Sequence, residues 1–450
     1  MRRAAMVIGA AALVATGAWA GQARRAPAPK WPSGMGDPPR EQLPSVAVPA
    51  GTVLPATQAL FDGYVRDRKM PGIVGAFGVA GRPTAFPSAG RIADDSTVAA
   101  GPDTLWRIYS MTKPVTAMAA MILVEEGRLR LDQPVHEILP AFRDMRVLTD
   151  PANSLASRPA ARPITIRHLL THTAGLGYNI ITKGPLLKEY ERLGILPGTV
   201  NAAVEAQART VRPRSLAEFA DRVATLPLIA DPGTRWSYSI GLDVMGAVIE
   251  RASGQPFDRF LRQRIFEPLR MTSTYFTVPG SEVGRFATNY AFVGANRVPL
   301  DPARGSVYLQ PPSFPYGGAG LVSSARDYDR FLHMLQNGGE LDGARVMKPE
   351  TARLAMSNLL PAGVTFQGIG GGTGGTQGPG GYGAGGSVYL ADKPGGPSKG
   401  TYGWGGAAGT IAYVDPVRRV RGTIMVNYFP AERWPLRQEI PAALARDLAR

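Results

Sequence analysis

Ser110-Met111-Thr112-Lys113-Pro114-Val115-Thr116-Ala117-Met118-Ala119-Ala120-Met121-Ile122-Leu123-Val124-Glu125-Glu126-Gly127 combines a helix pattern with a reactive pair of side chains. Val115, Met118, Ala119, Ile122 and Leu123 recur at helical spacing. Pro114 suits a first turn, where a missing N–H does no harm, and Gly127 is a natural C′ stop. Ser110 and Lys113, three apart, then share one face of the helix. A neutral lysine amine can take the proton of a hydroxyl that is otherwise a poor nucleophile. At a helix N-terminus, backbone N–H groups and the dipole also favour a developing oxyanion. Taken alone, two common residues at fixed spacing recur by chance, and a cap beside a surface lysine is the plain alternative.

Outward from this helix, the pattern is strands at both ends of the chain. Residues from about Ala56 to Ile92 read as a helix and a strand pair, with Ile73 to Ala80 apolar and bounded by Pro71-Gly72 and Gly81-Arg82-Pro83. Segments after the Ser110 helix read as mostly helix and loop to about Leu269, including amphipathic helices at Val244 to Ala252 and Phe257 to Ile265. Strand-like runs return at Thr410 to Val414 and Gly422 to Tyr428, and a helix from about Leu436 to Ala449 follows. One antiparallel sheet built from both chain ends, flanked by helices and carrying an inserted, mostly helical subdomain at about 128–300, is the expected α+β layout. A cleft between those parts is the expected site.

The first twenty residues carry a different signal. Arg2-Arg3, the apolar run Ala4 to Gly17 and Ala18-Trp19-Ala20 form the three regions of a signal peptide, so export to the periplasm or medium is expected. Residues 21–50, rich in Pro, Ala and Arg, read as a flexible leader, and 51–450 as the functional domain. No later segment has the length and freedom from charge to span a membrane, so no stable membrane insertion is expected. With no cysteine there is no disulfide and no thiolate site. The net charge of +15 comes without a basic cluster interleaved with aromatics, so no nucleic-acid partner is expected. Gly368 to Gly386 holds twelve glycines in nineteen residues. Its Gly370-Gly371-Gly372-Thr373-Gly374-Gly375 satisfies G-x-G-x-x-G only formally, because neither a helix pattern nor a phosphate-binding lysine follows. The stretch 368–400 reads as a flexible loop at the mouth of the site.

Five blocks in order resemble the serine β-lactamase and penicillin-binding-protein superfamily, most closely its class C-like branch with the family VIII carboxylesterases. They are Ser110-Met111-Thr112-Lys113, Leu169 to Leu176, Tyr238-Ser239-Ile240, Gly317 to Ser324 and Trp404-Gly405-Gly406. The resemblance implies a β-lactamase-like fold from about Val53 onward, with Ser110 as the acylated nucleophile. It makes Lys113 the general base and Tyr238 a competing base or the proton shuttle to the leaving group. The backbone N–H groups of Ser110 and Ala407 would form the oxyanion hole. Trp404, Gly405, Gly406 and Ile240 would contact substrate.

Two departures from the family pattern bear on the substrate. Ile240 stands where an orienting asparagine amide is usual, and Trp404 replaces the cation that β-lactamases and peptidases hold near a substrate carboxylate. Both changes favour uncharged esters. The expected activity is therefore hydrolysis of small-molecule esters by an exported serine hydrolase, without metal or other cofactor. A β-lactamase or D-amino-acid peptidase acting on amides is the second expectation, and a catalytically silent envelope-binding protein the third. His168 and His172 are four apart but lack the glutamate of H-E-x-x-H, so they read as structural. His136 and His333 have no partner visible in the sequence, and without Gly-x-Ser-x-Gly a Ser-His-Asp triad is not expected.

Overall fold

The computed structural model describes residues 53–449 except 80, 367, 369–379 and 395. The expected signal peptide, the leader and the centre of the glycine-rich loop lie outside the described residues. Seven strands form one sheet: β1 Gly72–Val79, β2 Ser88–Gly90, β3 Gly381–Tyr382, β4 Ser387–Val388, β5 Tyr402–Gly405, β6 Ile411–Asp415 and β7 Val420–Met425. Their order is β3-β4-β5-β6-β7-β1-β2, antiparallel throughout. The two chain ends meet at β1 and β7, in register from Val74 opposite Met425 to Val79 opposite Val420. Strand β1 is buried on both faces, which is why its sequence runs apolar without alternating.

Helices cover both faces. On one lie α1 (Pro55–Arg66) and a C-terminal helix (Leu436–Leu448), whose Phe61, Tyr64, Ile440 and Leu444 pack on Ile73, Phe77 and Ile424. Helix α1 has no cap of its own; Asp447 accepts from the N–H groups of Ala56 at 2.7 Å and Thr57 at 2.9 Å instead. The larger core on the other face contains α2 (Thr112–Glu125), α3 (Gly241–Ser253) and α4 (Ala325–Gln336). Every residue of α2 from Thr112 to Leu123 is buried. The sequence suggested one apolar face; the structure shows a central helix enclosed all round. Gly127 follows the cap residue Glu126 with φ +69°, the left-handed stop its position implied.

Three local expectations change. The Phe257 helix runs as α only to Leu261 and continues as a π turn over Arg262–Phe266. The last strand ends at Met425, and Tyr428–Phe429 leaves the sheet to pair in parallel with Asn289–Val293. The region 128–300 contains antiparallel ribbons besides its helices: Arg146–Leu148 with Ser157–Pro159, and Asn289–Val293 with Asn296–Asp301. In the second, the two-residue connection Gly294-Ala295, with Gly294 at φ +60°, is short enough to close a hairpin. Among the described residues no helix is long and apolar enough to cross a membrane.

Candidate active site

Ser110 sits in a 3-10 turn, Tyr109–Met111, immediately before α2. Tyr109 has φ +42°, a left-handed conformation uncommon for a large side chain. It is held by several partners. Asn289 Nδ2 donates to its hydroxyl at 2.9 Å, and its ring meets Phe429 edge-on at 5.5 Å. Upstream, Asn427 grips the Arg107 backbone, accepting from its N–H at 3.1 Å and donating to its carbonyl at 2.9 Å. Such strain, of order 1–3 kcal/mol, persists only where surroundings over-determine it, and here it immediately precedes Ser110.

Two donors converge on that hydroxyl. The Tyr238 hydroxyl lies 2.7 Å from Ser110 Oγ, and Lys113 Nζ lies 3.2 Å from it. Lys113 is fully buried; it also donates to the Gly318 carbonyl at 2.7 Å and stands over the Tyr238 ring at 4.6 Å. The Gly318 N–H in turn donates to Asp243 Oδ1 at 2.8 Å. A Cβ on residue 318 would lie 2.4 Å from Asp243 Oδ2, so only glycine lets this loop approach closely enough to hold the lysine.

Asp243 is fully buried and its Oδ2 has no hydrogen-bond partner. Burial pushes its pKa up to about 6, against the opposing pull of Lys113 and the Gly318 N–H. Folding therefore favours the protonated form. The resulting stabilisation is full below the ordinary value of 3.8 and is lost as pH rises through about 6. Denaturation of wild type and Asp243→Asn compared at about pH 4.5 and about pH 7.5 should show the difference moving against wild type by about 2 kcal/mol. A pH-independent difference would contradict a buried, late-ionising carboxyl.

An aromatic wall adjoins the pair. Trp404 lies 5.8 Å from Tyr238, 5.3 Å from Tyr382 and 6.0 Å from Phe366, while Trp236 lies 4.7 Å from Phe366 and 6.2 Å from Tyr238 (ring centroids). Trp236, Phe366, Tyr382, Asp243 and Gly318 were not singled out as site residues from sequence. Trp236 has a usable signal in lying two residues from Tyr238, and Gly318 in lying within the Gly317 to Ser324 block. Gly405 ends β5 and Gly406 follows it beside the residue that opens the Ser110 turn: a Cβ on Gly406 would fall 2.4 Å from the Ile108 carbonyl oxygen. Ala407, itself exposed, follows in an otherwise buried connection to β6, and its N–H is bonded to no carbonyl among the described residues. Ile240 differs from the expectation. It is 0% exposed and packed in the core, with its N–H bonded to the Gly177 carbonyl, so its side chain has no surface to offer a substrate.

The two histidines have separate surroundings. His168 belongs to the cap of helix Ile166–Leu170, its Nδ1 accepting from the Thr165 N–H at 3.2 Å. His172 lies against the Tyr238 ring at 4.8 Å. Among the described residues no group of three or more His, Asp or Glu side chains is arranged to hold a metal ion.

The chain is similar to known proteins. Protein Rv1367c of Mycobacterium tuberculosis is 40% identical over 261 residues, covering 57% of this chain and 60% of that protein, so the chain spans about three fifths of the length of that curated relative. Esterase EstB of Burkholderia gladioli is 33% identical over 398 residues, 84% of this chain and 91% of EstB. The solved structure of EstCE1, described as a hydrolase with promiscuous acyltransferase activity, matches with a TM-score of 0.70 at 26% identity, over 87% of this chain and 97% of that one. The Beta-lactamase family model matches residues 57–444, a span running from α1 into the C-terminal helix and including Ser110, Lys113, Tyr238 and Trp404. The chain is a member of the beta-lactamase family.

Proposed function

We propose that this chain is a serine hydrolase that cleaves small carboxylic esters through an acyl-enzyme on Ser110. The observation that carries the reading is the convergence of Lys113 Nζ and the Tyr238 hydroxyl on one serine oxygen. A neutral Lys113 amine that gives one N–H to the Gly318 carbonyl keeps its lone pair for the serine proton. Ser110 Oγ attacks the ester carbonyl carbon as its proton passes to Nζ. The carbonyl oxygen becomes an oxyanion facing the Ser110 and Ala407 N–H groups. Collapse expels the alkoxide, which takes a proton delivered through Tyr238. Water then repeats the sequence on the acyl-enzyme: its proton is removed, the C–Oγ bond breaks, and Ser110 recovers its hydrogen.

The names of EstB, an esterase, and EstCE1, a hydrolase, support an ester substrate. Trp236 and Trp404, the half-buried members of the aromatic wall, support an uncharged one, since stacking and apolar area need no counter-ion. The signal pattern Arg2 to Ala20 supports an exported enzyme. One observation favours a carboxylate-bearing substrate instead. Arg437 Nη2 stands 2.6 Å from where a Gly405 Cβ would be, with Glu432 as the carboxylate that acts on this guanidinium. Steady-state kinetics with short-chain p-nitrophenyl esters and benzylpenicillin decides between them. The ester should have the much larger kcat/KM; a larger value for the penicillin would overturn the ester assignment.

A further inference from the structure

His172 brackets Tyr238. Its backbone carbonyl accepts the N–H of Ser237 at 2.9 Å, one residue before the tyrosine. Its ring Nδ1 accepts the N–H of Ser239 at 3.2 Å, one residue after, and lies 2.9 Å from the Ser239 hydroxyl. That hydroxyl accepts from the Gly241 N–H at 3.2 Å, in the first turn of α3. A backbone N–H can point only at an acceptor, so Nδ1 carries no proton and the hydrogen of the neutral ring sits on Nε2. Nε2 is buried without a partner. The imidazole is wholly enclosed, 4.8 Å from Tyr238, 5.8 Å from Trp236 and 5.5 Å from Tyr382. Burial, reinforced by the charge of Lys113, holds its pKa well below the usual histidine range. His172 has φ +56°. The left-handed backbone is uncommon for such a residue and accompanies the two-sided grip.

We infer that His172 is a positioning residue that fixes the Tyr238 hydroxyl on Ser110 by clamping both neighbours of the tyrosine. The role rests on the proposed ester hydrolysis, to which His172 itself contributes no proton. Tyr238 lies in a segment without regular secondary structure between Asp231 and α3, so no helix or sheet ladder places its ring. The clamp supplies that placement. A misplacement of about 1 Å at a reacting group lowers rates by roughly a hundredfold.

Three variants separate the parts of the grip. His172→Asn keeps a residue that tolerates the left-handed backbone and an amide oxygen near the place of Nδ1. His172→Gly keeps the backbone and loses the acceptor and the ring. Ser239→Ala keeps the Ser239 N–H on Nδ1 and removes the hydroxyl contact to Nδ1 together with the acceptor of the Gly241 N–H. The measurements are kcat and KM for p-nitrophenyl butyrate, the rate of Ser110 phosphonylation and the thermal midpoint, with folding checked by circular dichroism. His172→Gly should lower kcat and the phosphonylation rate by roughly ten- to a hundredfold with KM within about threefold, and His172→Asn should recover most of the loss. Ser239→Ala should show the same split on a smaller scale and carries the test if the glycine variant does not fold. A lowered midpoint with wild-type kcat in the folded glycine variant, or an asparagine variant no better than glycine, would overturn the role. Ser110→Ala run in parallel isolates the reaction itself: if it still turns over, the hydrolase reading fails, whereas a dead Ser110→Ala beside a fully active His172→Gly removes only the clamp.

Discussion

Ser110→Ala should reduce turnover of p-nitrophenyl esters by a factor of roughly 10⁴ or more while leaving the protein folded. Ser110 Oγ is the atom on which both Tyr238 and Lys113 converge, so its loss removes the nucleophile and the shared target of both proton carriers. What remains is binding and the N–H groups near the carbonyl, which sustain only a small residual acceleration. The structural cost is small because Ser110 is partly exposed, and water can take the place of its hydroxyl beside Tyr238. Kinetics on the purified variant, with its circular dichroism spectrum matched to wild type, checks this. Activity within tenfold of wild type would mean that another residue carries the acyl group.

Lys113→Met should lower kcat by roughly 10²–10⁴, the range for loss of a positioned acid–base group. Methionine roughly preserves the buried volume, so the effect on turnover is not confounded by a large cavity. The Gly318 carbonyl loses its Lys113 N–H partner, a cost of about 1–3 kcal/mol if it stays unpaired. The variant should therefore unfold at a lower temperature and still show little activity at temperatures where it is fully folded. Wild-type kcat in the folded variant would leave Tyr238 as the sole base.

The Ser110–Lys113 pair was legible because its members lie three residues apart where a 3-10 turn runs into α2, so that spacing is geometry. The sheet joining β1 to β7 was legible from the apolar runs at both ends of the chain, although its register was not. Other features depend on groups far apart in sequence. The full enclosure of α2 is one: Thr112 Oγ1 accepts the Leu321 N–H at 3.1 Å and Thr116 Oγ1 donates to the Gly317 carbonyl at 2.7 Å, so threonines that look like a polar face are satisfied inside. The aromatic wall draws Trp236, Phe366, Tyr382 and Trp404 from separate segments, and no local period joins them. Ile240 marks the limit of position-by-position transfer. Its place follows from the order of the motifs alone, but the side chain turns into the core beneath α3. His172 shows the reverse, a residue read as structural whose contacts lead directly to Tyr238.

Peptide mapping after reaction with a fluorophosphonate is the most direct test of acylation at Ser110. The reagent phosphonylates an activated serine hydroxyl, and mass spectrometry of the digest locates the adduct without reference to any substrate preference. One equivalent should add to the intact chain, carried by the peptide containing Ser110, with ester hydrolysis lost in proportion. A stoichiometric adduct on a different serine, or full inactivation with Ser110 unmodified, would contradict it.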